Sequence, residues 1–353
     1  VSAAATAGVV RSPRRDWTAL VDALAPFAVA LIVGAILLAA TGRNPFDVYG
    51  LMAREGFGGA GRLEATLTAA TPILFTAIAT AVSFRAGIFN VGVEGVFYLG
   101  GMAGAVVGFT LTSFPSPLLI VVELAAGALI GGLWLAAPAL LRARLQVDEV
   151  VSTLMLNFIA ANLTLYLVNG PFLAPGSANS ATPMIVEAGW LPRIAPPSTL
   201  TLGFVIALIL LALYALWDRL TPLGFEARLN GLNPRFSRAI GIDAPRLILK
   251  VMILSGAIGG LAGSAHALGV THRFVVGFSP GYGWTGLAVA LMGRNSAVGM
   301  LIGAIVFGAL DSAGTTVQLF SDIPLEIVDV LQGVVTIFAV VRFGRLRGRR
   351  SAR

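Results

Sequence analysis

Runs of about twenty apolar residues, separated by short polar or charged stretches, recur along the 353-residue chain. At ~1.5 Å rise per residue, a helix of that length crosses the ~30 Å hydrocarbon core of a bilayer. The runs fall at Leu20–Thr41, Thr66–Phe84, Gly87–Leu111, Pro117–Leu141, Val147–Val168, Thr199–Trp217, Leu247–Val270, Ala297–Val317 and Pro324–Val341. A weaker segment, Phe274–Gly293, is apolar enough but is broken at Ser279–Pro280–Gly281, leaving Tyr282–Met292 as continuous helix. The pattern predicts an all-α polytopic membrane protein of about ten transmembrane helices, one of them short or broken. The first run follows Arg11, Arg14 and Arg15, as a signal peptide would, yet is too long for a cleaved apolar core and reads as a retained anchor.

Composition sharpens this picture. Apolar residues make up 57% of the chain and charged ones 12%, about half the charged share of a soluble domain. A compact soluble enzyme is therefore excluded. The 42 glycines suit helices that must approach closely without a hydrophobic force between them. With no Cys and two His, at 266 and 272, thiolate chemistry, disulfides and a His-rich metal centre are not expected.

The net charge of +7 points to topology rather than nucleic acid. With ten spans and a cytoplasmic N-terminus, 19 of the 24 Lys and Arg lie inside, and only Arg43, Arg54, Arg62, Arg193 and Arg273 outside. If Phe274–Gly293 did not cross, the Arg-rich C-terminus would face outward, so the asymmetry argues that it crosses with both termini inside. The expected organisation is a basic cytoplasmic tail (1–19), a transmembrane domain (20–341) and a second basic tail (342–353). The domain carries an external loop (169–198), with Trp190 as a candidate interfacial anchor, and a cytoplasmic loop (218–246).

Polar residues within the spans carry the candidate chemistry, since each costs free energy in hydrocarbon unless paired or hydrated. Asn90 and Glu94, four apart among Gly87, Gly92 and Gly95, are expected to share a helix face, as a pathway patch or as a tie to a neighbouring helix. Thr153, Asn157, Asn162 and Thr164 follow in the fifth span. Their neutral donors and acceptors suit an uncharged polar solute, with interhelical bonding as the alternative. Asp148 and Glu149 read as helix-capping acids. Asp311 would line an external vestibule. His266 reads as a satisfied interhelical residue, and Gly256, Gly259, Gly260 and Gly263 as packing positions. In the cytoplasmic loop, Asn233–Pro234 reads as an N-cap with Pro at the first helical position, opening a short amphipathic helix to about Ile240. That helix either rests on anionic lipid or docks a soluble partner.

GFEARLNGLNPRFSRAIGID (224–243) resembles the coupling loop of bacterial ABC importer permeases of the ribose and branched-chain amino acid type. FRAGIFNVGVEG (84–95), DEVVSTLMLNFIA (148–160), SGAIGGLAG (255–263) and GLAVALMGRNSAVGMLIGAIVFGAL (286–310) are similar to the nucleoside-importing branch, in its order. The long external loop resembles the larger permease of a pair. The chain departs from the family at Val96, where Gln is common, and at Asp148, where Asn is common. The resemblance implies a dimer of permeases in the bacterial inner membrane, with a different, shorter partner or a second copy of this chain. It also implies an external substrate-binding (lipo)protein and a nucleoside substrate. A cytoplasmic ATPase would bind ATP and Mg and dock on Gly224, Phe225, Arg228, Asn233, Pro234, Arg238 and Gly241. No Walker-type segment occurs in the sequence, so this chain is expected to hold no cofactor and to be no ATPase itself. A simple-sugar permease of the ribose type is the alternative within the class, and an ion-coupled secondary transporter using Glu94 and Asp311 the alternative outside it.

Overall fold

The computed structural model describes residues 31–36, 38–40, 42, 44–176, 179–194, 196–321, 330, 333 and 334. Helices dominate them: α1 Pro45–Phe57, α2 Ala60–Arg85, α3 Val93–Thr110, α4 Ser116–Leu145, α5 Glu149–Asn169, α6 Leu202–Leu220, α7 Pro222–Leu232, α8 Pro234–Ala239, α9 Ala244–His266, α10 Tyr282–Met292 and α11 Ala297–Ser321. Helix α9 continues through a π turn, Ala267–Thr271. Among the described residues, β structure is limited to the isolated bridges Ala181–Val275 and Arg193–Thr201.

Seven of these helices are long and apolar enough to cross a membrane: α2, α3, α4, α5, α6, α9 with its π turn, and α11. The expected spans Leu20–Thr41 and Pro324–Val341 fall mostly outside the described residues. Helix α10 occupies the residues left continuous by the Ser279–Pro280–Gly281 break, and its 11 residues cover about half of a bilayer core. The segment around it nonetheless joins the two ends of the bundle. Phe274 N–H meets the Thr182 hydroxyl at one end, and the Asn295 carbonyl accepts from Arg85 and Tyr214 at the other.

Helices α3, α4 and α9 form the tightest contact. A Cβ on Gly131 would stand 2.9 Å from Gly260 Cα, and one on Gly263 would stand 2.8 Å from Gly101 N. The four glycines of α9 do pack, as their spacing indicates. Helix α1 was not foreseen. Asn44 accepts from Phe46 N–H with Pro45 in the first turn, and Glu55 of α1 pairs with Arg62 of α2.

Candidate functional site

Two breaks in the helical framework gather the polar residues. The first corrects the expected span Gly87–Leu111, since α3 starts only at Val93 and Ala86–Gly92 is non-helical. Gly87 has φ +77°, and its missing side chain lets Gly231 of α7 approach, with a Cβ falling 3.0 Å from Gly231 Cα. Asn90 lies in this link, so it does not share a helix face with Glu94. Its fully buried carboxamide accepts from Gly92 N–H at 2.8 Å and donates to Ser255 Oγ of α9 at 3.0 Å. Ser255 in turn donates to the Ala79 carbonyl of α2.

Helix α5 grips the same link. Thr153 Oγ1 accepts from Val91 N–H at 3.2 Å. Asn157 Nδ2 donates to the Val91 carbonyl at 2.8 Å, and its Oδ1 accepts from Gly95 N–H at 2.8 Å. Both polar groups of Asn157 are thus spent on backbone. Thr164 is buried and returns its hydroxyl to its own helix at the Ala160 carbonyl. Asn162 is different: it sits on an exposed face of α5 with Phe158, Ile159 and Tyr166, its amide donating back to the Phe158 carbonyl.

The second break, before α10, is bound to the first. Glu94 Oε2 accepts from Gly283 N–H at 2.6 Å, placing a buried carboxylate at the positive N-terminus of a half-helix. Ser279 Oγ accepts from Gly281 and Tyr282 N–H, and Tyr98 donates to the Ser279 carbonyl. Around this joint the rings of Phe97, His266, Phe278 and Tyr282 pack with centroids 5.2–5.7 Å apart. His266 is not the satisfied residue expected, because its buried Nδ1 has no hydrogen-bond partner. Asp311 is partly exposed on α11.

The expected short amphipathic helix is present as α8, Pro234–Ala239, with Asn233 Oδ1 accepting from Arg235 and Phe236 N–H. It is preceded by a second helix, α7, which carries Gly224, Phe225 and Arg228. Gly224 is buried, and a Cβ there would lie 3.1 Å from Asp218 Cα, so only glycine lets α7 fold back on α6. Gly241, at φ +89°, ends α8 in a left-handed turn. Phe225, Leu232, Phe236 and Ile240 are exposed, Leu232 by 78%, beside exposed Arg235 and Arg238. Behind this surface, Arg85 binds Asp218 at 2.9 Å, the Asn295 carbonyl at 3.0 Å and Tyr214 Oη at 3.3 Å. Arg142 pairs with Glu149, and Asp148 caps α5 through Val150 and Val151 N–H.

The opposite end is closed by the 170–200 loop. Its backbone bonds to the segment after α9 through Thr182–Phe274, Ile185–His272, Val276–Ser180 and Leu191–Leu268. Trp190, expected as a lipid-interface anchor, stacks on His272 at 4.0 Å. Burial holds the His272 imidazole below its usual pKa. Its bond to the Leu268 carbonyl opposes the shift and the charge of Arg193 adds to it.

Sequence reasoning missed Asn230, whose Nδ2 donates to the Ala86 carbonyl at 2.8 Å. It also missed Glu123, fully buried in α4 with neither carboxylate oxygen hydrogen-bonded. An acid inside LLIVVELAAG was itself a signal. Among the described residues, no group of three or more His, Asp or Glu could hold a metal ion.

A chain of crossing helices, two broken helices joined at the core and an uncovered amphipathic element at one end describe a multi-pass transport protein. The family described as branched-chain amino acid transport system / permease component matches residues 62–340, and the chain belongs to it. It is 31% identical to the glucose ABC transporter permease protein TsgB13 of Haloferax volcanii, over 93% of this chain and 90% of that one. It is 31% identical to the nucleoside ABC transporter permease protein NupB of Lactococcus lactis subsp. cremoris, over 88% of each. With the guanosine ABC transporter permease protein NupP of Bacillus subtilis it shares 32% identity, over 88% of this chain and 90% of that one. No solved structure matches the chain at a significant level.

Proposed function

We propose that this chain is the transmembrane permease subunit of an ATP-driven ABC importer in the bacterial inner membrane, and that its solute is a nucleoside. The observation that carries the reading is the α7–α8 element. Exposed Phe225, Leu232, Phe236 and Ile240, flanked by Arg235 and Arg238, form an amphipathic surface fitted to the groove of a soluble partner. That partner is a cytoplasmic ATPase, which binds ATP and Mg and hydrolyses ATP in trans. Gly224, Phe225, Arg228, Asn233, Pro234, Arg238 and Gly241 are the docking residues, so this end is cytoplasmic and the 170–200 loop external. An ion-coupled carrier would have no use for such an element.

The exposed amide of Asn162 marks the α5 face on which a second permease closes the pathway, because an amide facing lipid would be costly. The second permease is a shorter partner or another copy of this chain, and an external binding protein delivers the solute. A nucleoside suits this pathway. Its exposed polar group on α5, Asn162, is neutral, and the Lys and Arg of the described spans lie near helix ends. The relatives named for nucleosides and guanosine support the same solute. Asn90, Glu94, Thr153, Asn157 and Asp311 frame the pathway rather than read the solute. A glucose-named relative at 31% identity favours a simple sugar as the second reading.

The test is uptake into proteoliposomes holding the whole complex, supplied with binding protein and ATP. Labelled guanosine should accumulate, competed by other nucleosides and not by glucose or ribose. Competition by sugars alone would transfer the assignment to the sugar reading, and uptake driven by an ion gradient without ATP would remove the ABC assignment.

A further inference from the structure

The Ala86–Gly92 link touches every element that an importer must move together. At its start, Asn230 of the docking helix α7 donates to the Ala86 carbonyl at 2.8 Å, and Gly231 lies backbone to backbone against Gly87. No side chain stands between the two glycines, so there is no rotamer to absorb a shift of α7. In its middle, Asn90 binds Ser255 of α9. At its far end, Val91 is held by Thr153 and Asn157 of α5, while Asn157 also holds Gly95. One residue before Gly95, Glu94 holds the N-terminus of α10 through Gly283. The stretch of chain from Ala86 to Gly95 therefore joins the docking helix to α5, α9 and α10.

The surroundings separate what is fixed from what is free to follow. Arg85, immediately before the link, is anchored to Asp218, Tyr214 and the Asn295 carbonyl. From Ala86 onward the backbone is non-helical: Ala86, Gly87 and Ile88 N–H still bond to the last turn of α2 at Ser83 and Phe84, while the Ala86 carbonyl, Asn90 and Val91 are tied to α7, α9 and α5. Contiguous packed and hydrogen-bonded chains of this kind carry coupling between distant sites. Resting on the importer reading above, we infer that Ala86–Gly92 is the transmission element of the permease. Asn230 and Gly231 are the positioning residues through which the docking helix drives the link, and Asn157 is the one through which the link drives the pathway helix α5.

The test is stoichiometric. The full complex carrying Asn230→Asp, Asn230→Ala or Gly231→Ala is reconstituted, and ATP hydrolysis and solute uptake are measured on the same vesicles. Asn230→Asp keeps the size of the side chain and removes the donor to Ala86, which guards against a folding defect in the alanine variant. Asn169→Ala is the control, since that amide binds only the Leu165 carbonyl of its own helix. The expected result is hydrolysis within about two-fold of the parent and at least five-fold more ATP consumed per solute moved in the Asn230 and Gly231 variants. Combining Asn230→Asp with Asn157→Asp should add little, because both act on one link. Parallel loss of hydrolysis and uptake at an unchanged ratio would overturn the inference, as would full additivity of the double variant. The ratio is read on the solute the parent complex accumulates, so a wrong solute assignment shows in the parent alone and leaves the coupling result standing.

Discussion

The two breaks do the same job with different bonds. Ala86–Gly92 keeps backbone bonds to the last turn of α2, at Ser83 and Phe84, and within itself; its ties to other helices are side chains: Asn230, Thr153, Asn157 and, through its own carboxamide, Asn90 with Ser255. The break between α9 and α10 is tied by backbone pairs to the 170–200 loop, with Thr182, Ser279, Tyr98 and Glu94 adding side-chain bonds. A segment held by side chains can be released by one substitution. A segment held by backbone pairs keeps most of its bonds whatever side chain is removed. The link beside α7 is the adjustable one, and the break before α10 is a fixed closure.

Three measurements would sharpen or break that contrast. Asn157→Ala should have the largest effect, stranding the Val91 carbonyl and Gly95 N–H in a buried site, at about 1–3 kcal/mol for each unmet group. Thermal unfolding of the purified chain in detergent would register this, and a loss under ~0.5 kcal/mol would mean the link is held by something else. Glu94→Ala comes next, at about 1–3 kcal/mol, since it leaves Gly283 N–H without its acceptor. Glu94→Gln retains an acceptor and should fall within ~1 kcal/mol of the parent; equal damage from both variants would show that the charge, not the acceptor, secures α10. The smallest effect belongs to the closure before α10. The His272 pKa is lowered in the folded chain, so the unfolded chain binds more protons as pH falls below 6.5. The closure is therefore at full strength above that pH and weakens as pH drops toward the folded value. Trp190 fluorescence, reporting its stack on His272, should change over that window and should not in His272→Gln.

Much of this was legible in the sequence for physical reasons. Asn233–Pro234 and Ser279–Pro280–Gly281 are local signals, in which a cap or a missing N–H acts within a few residues, and α8 and α10 begin there. Asn44–Pro45 carries the same signal as Asn233–Pro234 and opens α1, whose 13 residues are too short to show as a spanning apolar run. The true start of α3 was hidden for another reason. Ile88 and Val91 are apolar and buried, so hydropathy runs unbroken through Gly87–Leu111 while the backbone does not. The partnerships of the link could not be read at all. Val91 and Asn157 stand 66 residues apart, and Asn90 and Ser255 stand 165 apart. No local pattern distinguishes an asparagine that holds backbone from one that faces a solute.

Where α3, α4 and α9 touch, main chain lies on main chain, with Gly131 over Gly260 and Gly263 over Phe97 and Gly101. Selection at such a crossing is for absence: hydropathy, charge and helix preference count for nothing beside the bulk of a single methyl group. Alanine, ordinarily the mildest replacement in a helix, is there as foreign as tryptophan. The glycine excess is in this respect a stencil of the inter-helix crossings, and a mutational tolerance map of the chain would trace it as an oblique dark stripe over three helices.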